Sequence, residues 1–151
     1  MDRMQDTTTA QHPIVGTWRW VSNPAKPPDA YAIFHADGTY IETGLFAGVV
    51  IGAWRATGER SVDVTMSFQD VDVSVAGVTP GMGTLWLAAE VDRTGNAMIL
   101  RGSAELRSIE NDVMFQGGGF EFRGTRMMVE PVPDFPPPPP GSPSLPGAPS
   151  T

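Results

Sequence analysis

Between His12 and about Glu130 the chain alternates apolar and polar residues almost without a break. Only β-strands turn a period of two into one buried and one solvated face. Ser61–Phe68 is the clearest run: Val62, Val64, Met66 and Phe68 share one face, Ser61, Asp63, Thr65 and Ser67 the other. Thr84–Asp92 sets Leu85, Leu87, Ala89 and Val91 against Thr84, Glu90 and Asp92, with Trp86 on the outward side. Met98–Arg107 sets Met98, Leu100, Gly102, Ala104 and Leu106 against Arg101, Ser103, Glu105 and Arg107. Gly118–Met128 sets Phe120, Phe122, Gly124 and Met128 against Glu121, Arg123 and Thr125. Earlier strands are expected at Ile14–Val21, Tyr31–His35, Thr39–Thr43 and Val49–Ala56. No stretch of ten or more residues has helical spacing.

Turn residues fall between these runs at hairpin spacing: Ala36-Asp37-Gly38, Thr57-Gly58-Glu59, Arg93-Thr94-Gly95-Asn96 and Glu110-Asn111-Asp112. The expected fold is all-β, with about eight antiparallel strands. Short sequential hairpins leave little chain for the crossing connections of a sandwich, which favours an up-and-down barrel. A barrel of that size holds packed side chains or one small ligand.

Two short motifs sit on the first and last strands, Gly16-Thr17-Trp18 and Gly124-Thr125-Arg126. Arg126 falls on the apolar side of its strand and needs a partner there. Trp18 is the natural one, because a guanidinium over an indole face adds cation–π attraction to the area it covers. With the turn Phe34-His35-Ala36-Asp37-Gly38-Thr39 and with Gly52-Ala53-Trp54, the chain resembles a bacterial lipocalin-like family of the calycin type, over about His12–Met127. The resemblance implies a cup closed at its floor by Trp18 and Arg126, with a small apolar molecule as ligand. The longer lipocalin signature around the central strands is not visible.

Strict alternation of strand direction puts the long loops 22–29, 44–48 and 70–82 at one rim and the tight turns 36–38, 57–60 and 93–96 at the other. Segment 70–82 reads as a strand continuing through Val75 to a turn at Thr79-Pro80-Gly81, or as a lid. The candidate ligand-binding residues are Phe34, Leu45, Phe46, Trp54, Phe68, Phe120 and Phe122. The same aromatics opposite Gly102, Gly124, Ala89 and Ala104 fit a cavity or a filled core equally well.

No catalytic signature accompanies them. His12 and His35 form no metal constellation, and His35-Ala36-Asp37 lies on a turn. Glu42, Glu90 and Glu105 are spread over different strands, mostly outward by alternation, and no serine has a nucleophile motif. With no cysteine there is no disulfide or thiolate chemistry. No catalytic residue, metal or cofactor is therefore expected. A small-barrel isomerase or cyclase, whose apolar cavity shapes a reactive substrate, is the third reading.

The net charge is −7, and the ten Lys and Arg are scattered singly. No basic stripe offers itself to nucleic acid or to an anionic membrane. No run approaches the roughly 18 apolar residues of a membrane span. Residues 1–11 are polar and lack the apolar stretch of a signal peptide, so the expectation is a soluble protein, cytoplasmic or secreted after leader removal.

Three zones follow: a flexible segment over 1–11, the barrel over 12–130, and a tail over 131–151 that holds ten of the fifteen prolines. Phe135 precedes Pro136–Pro140, and Pro140, Pro143, Pro146 and Pro149 then recur every third residue. Polyproline II has three residues per turn, so these line one face of a stiff arm, about 45 Å long for fifteen residues. The arm is a spacer or a docking element, with Trp86, Phe135 and those four prolines as candidate docking residues. The leading functional expectation is a non-enzymatic barrel that binds a small apolar molecule at the long-loop rim. Its rival is an assembly module that docks on neighbouring chains through the tail and apolar loops.

Overall fold

The first and last strands pair, and that pairing turns a meander into a closed barrel: Trp18 lies opposite Arg126, Arg19 opposite Thr125 and Trp20 opposite Gly124. The structure is a computed structural model, and it describes residues 12–43, 48–69 and 80–143. Its strands are β1 Gly16–Trp20, β2 Ala30–Phe34, β3 Thr39–Thr43, β4 Val49–Ala56, β5 Ser61–Gln69, β6 Pro80–Val91, β7 Ala97–Ser108 and β8 Val113–Arg126. Each is antiparallel to the next in chain order, and closure leaves no edge strand. The described residues include no helix, and none long and apolar enough to cross a membrane.

The strands are staggered. Residues directly opposite one another run from Trp18 through Ala32, Glu42, Val50, Phe68, Gly83 and Leu106, and return to β8 at Phe115 instead of Arg126. That offset is the strand tilt a small barrel needs to close. Inside, glycines make room for rings. A Cβ on Gly124 would lie 2.4 Å from the Trp20 ring, and one on Gly83 2.1 Å from that of Phe68. At these two positions the small residues opposite aromatics mean interdigitation, not empty space.

Some boundaries differ from those expected. β6 begins at Pro80 rather than Thr84, so the turn expected at Thr79-Pro80-Gly81 is the start of a strand. Proline is tolerated at that first position. β8 begins at Val113 rather than Gly118. There Gly102 opposes Phe120 while Ala104 opposes Gly117, and the extra residues form a bulge with Gly119 at φ 78°. Met128, expected inward, lies past the end of β8 and is exposed. β6, β7 and β8 thus carry the barrel wall further toward the long-loop rim.

After β8 the Met127 N–H donates to the Thr17 carbonyl at 2.9 Å, and the chain then runs out with Val129 and Val132 fully exposed. The straight proline arm is interrupted. Ser142 donates to the Pro139 carbonyl from its N–H at 3.1 Å and from its hydroxyl at 2.8 Å, and Gly141 takes φ 86°. Glycine permits that reversal, and it separates Pro140 from Pro143. Pro146 and Pro149 lie outside the described residues.

Candidate functional site

The tight-turn end is sealed. Arg126 places its guanidinium carbon 4.4 Å from the centre of the Trp18 ring, and Trp18 itself is wholly buried. Arg126 Nε–H donates to the Gly95 carbonyl at 2.7 Å, Nη1–H to that of Val15 at 2.8 Å, and Nη2–H to that of Pro13. Trp18 Nε1–H donates to the Ile14 carbonyl at 2.8 Å. One side chain from the last strand therefore straps the segment before β1 across the floor. His12 reinforces it: the Ile14 N–H donates to Nδ1 at 3.2 Å, so Nε2 carries the proton and donates to the Gly58 carbonyl at 3.0 Å. The His12 ring also packs 5.7 Å from that of Trp54. Sequence spacing gives no hint of this role for His12.

The candidate ligand-binding aromatics divide by level. Phe34 and Trp54 fill the closed half. Phe34 is fully buried against the edges of Trp20, Tyr40 and Trp54, and Trp54 Nε1–H donates to the His35 carbonyl at 2.9 Å. Phe122 is half-buried against the middle of the core. Phe68 and Phe120 stand toward the opposite rim, where Leu106 and Phe115 join them. Phe115, 42% exposed, lies opposite Leu106 and meets Phe120 edge-on at 6.2 Å. Parity does not single out Phe115, because Val113–Gln116 does not alternate. Leu45 and Phe46 lie outside the described residues, as does most of segment 70–82.

The main correction concerns Glu42. It is not an outward carboxylate: it is 2% exposed, on the inward face of β3 with Tyr40, while Ile41 points out at 42% exposure. The pairings with Ala32 and Val50 fix that register. The one sequence signal is parity, since Glu42 is two residues from Tyr40. Its Oε2 accepts from Trp20 Nε1–H at 2.9 Å and from the Tyr40 hydroxyl, and its Oε1 has no hydrogen-bond partner among the described residues. Beside it is a cavity of about 10 Å³ lined by Trp20, Met66, Leu85, Leu87, Leu100 and Phe122. Burial raises the Glu42 carboxyl above its usual range, against the opposing hydrogen bonds from Tyr40 and Trp20. Burial, and then the Glu42 charge, raise the Tyr40 phenol far above its usual value, so it stays a donor.

The outer wall carries two further features. β6, β7, β8, β1 and the loop after β1 enclose a groove of about 940 Å³, with Ala88 and Ile99 on its floor and Arg19, Lys26, Arg101 and Arg123 around it. Glu90 and Asp92 also line it, and Arg101 and Arg123 both pair with Glu121, at 2.8 and 2.9 Å. Those two hydrogen-bonded arginines hold the Glu121 carboxyl below its usual range. On the opposite wall Ile33, Ile41 and Ile51 form an exposed cross-strand row. Trp86 is 46% exposed between Thr65 and Ser103, as parity required. On the tail, Phe135, Pro140 and Pro143 are exposed and come together with none of these features. Among the described residues no three His, Asp or Glu side chains cluster as a metal site.

No protein-family model and no curated protein sequence matches the chain.

Proposed function

We propose that this barrel is a non-enzymatic binding protein that takes a small apolar molecule at its open rim, in the manner of the lipocalin-like proteins it resembles. The observation that carries the reading is the Phe115–Phe120 pair. It continues the inward apolar face of the barrel past the packed core and leaves it half-open to solvent. The filled closed half makes the site shallow: ligand rests against Phe68, Leu106, Phe115 and Phe120 above the core. Such a mouth supplies apolar area, and each buried Å² of it is worth about 25 cal/mol. Titration with a neutral naphthalene fluorophore, displaced by unlabelled naphthalene, tests this. Saturable one-to-one binding is expected; its absence overturns the reading.

A second reading, docking on another copy of the chain, is supported by charge and exposure. Four of the ten Lys and Arg line the outer groove, while the tail presents Glu130 and Asp134 beside exposed Val129, Val132 and Phe135. An acidic, apolar arm suits a groove with basic walls and an apolar floor. Sedimentation of the full chain measures it: a concentration-dependent dimer is expected, and a monomer at all concentrations overturns it.

A further inference from the structure

We infer that Glu42 is the recognition group of the barrel interior and that it takes the ammonium head of a small apolar amine entering from the mouth. This rests on the ligand-binding reading and names the head group of that ligand. Two donors already occupy Oε2, whereas Oε1 is buried and has no hydrogen-bond partner among the described residues, and Glu42 lines a small cavity. A buried carboxylate oxygen left unpaired is costly, and the cost is greatest when no opposite charge is near. Among the described residues none is supplied, since the others that line the cavity are Trp20, Met66, Leu85, Leu87, Leu100 and Phe122. Among the described residues Tyr40, on the same strand, is the one titratable group in contact with the carboxyl.

The cavity of about 10 Å³ has room for one water or one group of that size. Water or a hydroxyl head satisfies Oε1 but does not compensate the charge that the carboxyl carries once it has lost its proton. An ammonium does both, and the Trp20 and Phe122 rings in the same lining add cation–π attraction. Position favours the same ligand. Glu42 is the last inward residue of β3, in one cross-strand row with Val50, Phe68, Gly83, Leu106 and Phe115. Phe122 lines the cavity and Phe120, two residues nearer the rim on the same face of β8, belongs to the mouth, so a ligand with its head on Oε1 would run its hydrocarbon body along β8 toward the mouth.

The test compares n-hexylamine with n-hexanol and n-hexane on the full chain by calorimetry and tryptophan fluorescence. Hexylamine is expected to bind about tenfold or more tighter than hexanol, and Glu42→Gln to bring that ratio close to one. Should Glu42→Gln not fold, carbon-13 NMR of the wild-type carboxyls replaces it: the Glu42 signal is expected to move with hexylamine and not with hexanol. Equal affinity for the two heads, or an unmoved Glu42 signal, overturns the inference and leaves a water-filled cavity, with the ligand-binding reading intact. If none of the three probes binds, both fail together.

Discussion

Arg126 and Trp18 stand opposite each other across the β1–β8 seam, with the guanidinium carbon 4.4 Å from the indole centre. The same guanidinium donates to the carbonyls of Pro13, Val15 and Gly95. Arg126→Ala removes the cation–π contact and leaves three carbonyls short of a donor, a loss of about 2–4 kcal/mol. Arg126→Lys keeps the charge but cannot fork to three acceptors, so it recovers less than half. Urea unfolding measures both, and equal stability of the Lys and Arg forms would mean that charge alone closes the floor.

Gly16 faces that guanidinium. Its φ is +134°, and a Cβ there would lie 2.6 Å from Arg126 Nη1. Gly16→Ala is expected to cost about 1–3 kcal/mol from backbone strain plus displacement of the arginine. Pairing it with Arg126→Ala in a double-mutant cycle separates the two: the summed cost is expected to fall short of additive.

Glu42 makes stability depend on pH in an unusual direction. Its folded carboxyl titrates above the ordinary glutamate value of 4.5 because it is buried. The native state thus holds a proton that the unfolded chain has lost, and stability falls as pH rises from about 4.5 through the raised value. Asp29, Asp37, Asp92, Glu105 and Glu121 act oppositely. Hydrogen bonds hold them below their usual values, so their contribution is present at neutral pH and lost on acidification. Glu42→Gln removes only the first trend. The mutant-minus-wild-type stability is therefore expected to increase from pH 4.5 upward, and a flat difference across that range would contradict it.

Phe115 is 42% exposed, so its truncation removes little core packing. Phe115→Ala is expected to change stability by about 1 kcal/mol or less while weakening the naphthalene fluorophore about fivefold, the value of some 40 Å² of lost apolar contact. Unchanged affinity in the folded variant would place the ligand elsewhere than the mouth.

The tail lies exposed beyond the barrel and adds little to the packing of the fold. Val129, Val132 and Phe135 are exposed at 101, 95 and 77%, so removing residues 129–151 is expected to shift unfolding by about 0.5 kcal/mol or less. Charge reversal at Glu130 and Asp134 is expected to weaken dimerisation in sedimentation, and reversal at Arg19 and Lys26 in the same chain to restore part of it. Failure of the second pair to rescue the first would remove the groove as the docking surface.

The barrel is readable because it rests on local regularities. Strand parity places Phe68, Leu85, Leu100 and Phe120 inward and Trp86 outward, and the Asp37-Gly38 and Gly95-Asn96 turns mark the hairpins. The inward positions of Trp18 and Arg126 come from the same parity. Boundaries fail where regularity lapses, at the Gly117–Gly119 bulge and at Pro80.

The site is much less legible. Glu42 looks like a surface carboxylate, because charge is the stronger local signal and Ile41 beside it looks like the residue to bury. Which of the two turns inward is decided by register with β2 and β4, a non-local pairing. Alternation and turn chemistry determined an antiparallel meander of eight strands by themselves, since each acts over a few neighbouring residues. Whether its interior is solid, which carboxylate it encloses and where apolar surface stays uncovered depend on side chains that are distant in sequence but opposite in space. Those contacts exist only once the barrel has closed, so only the tertiary structure decided them.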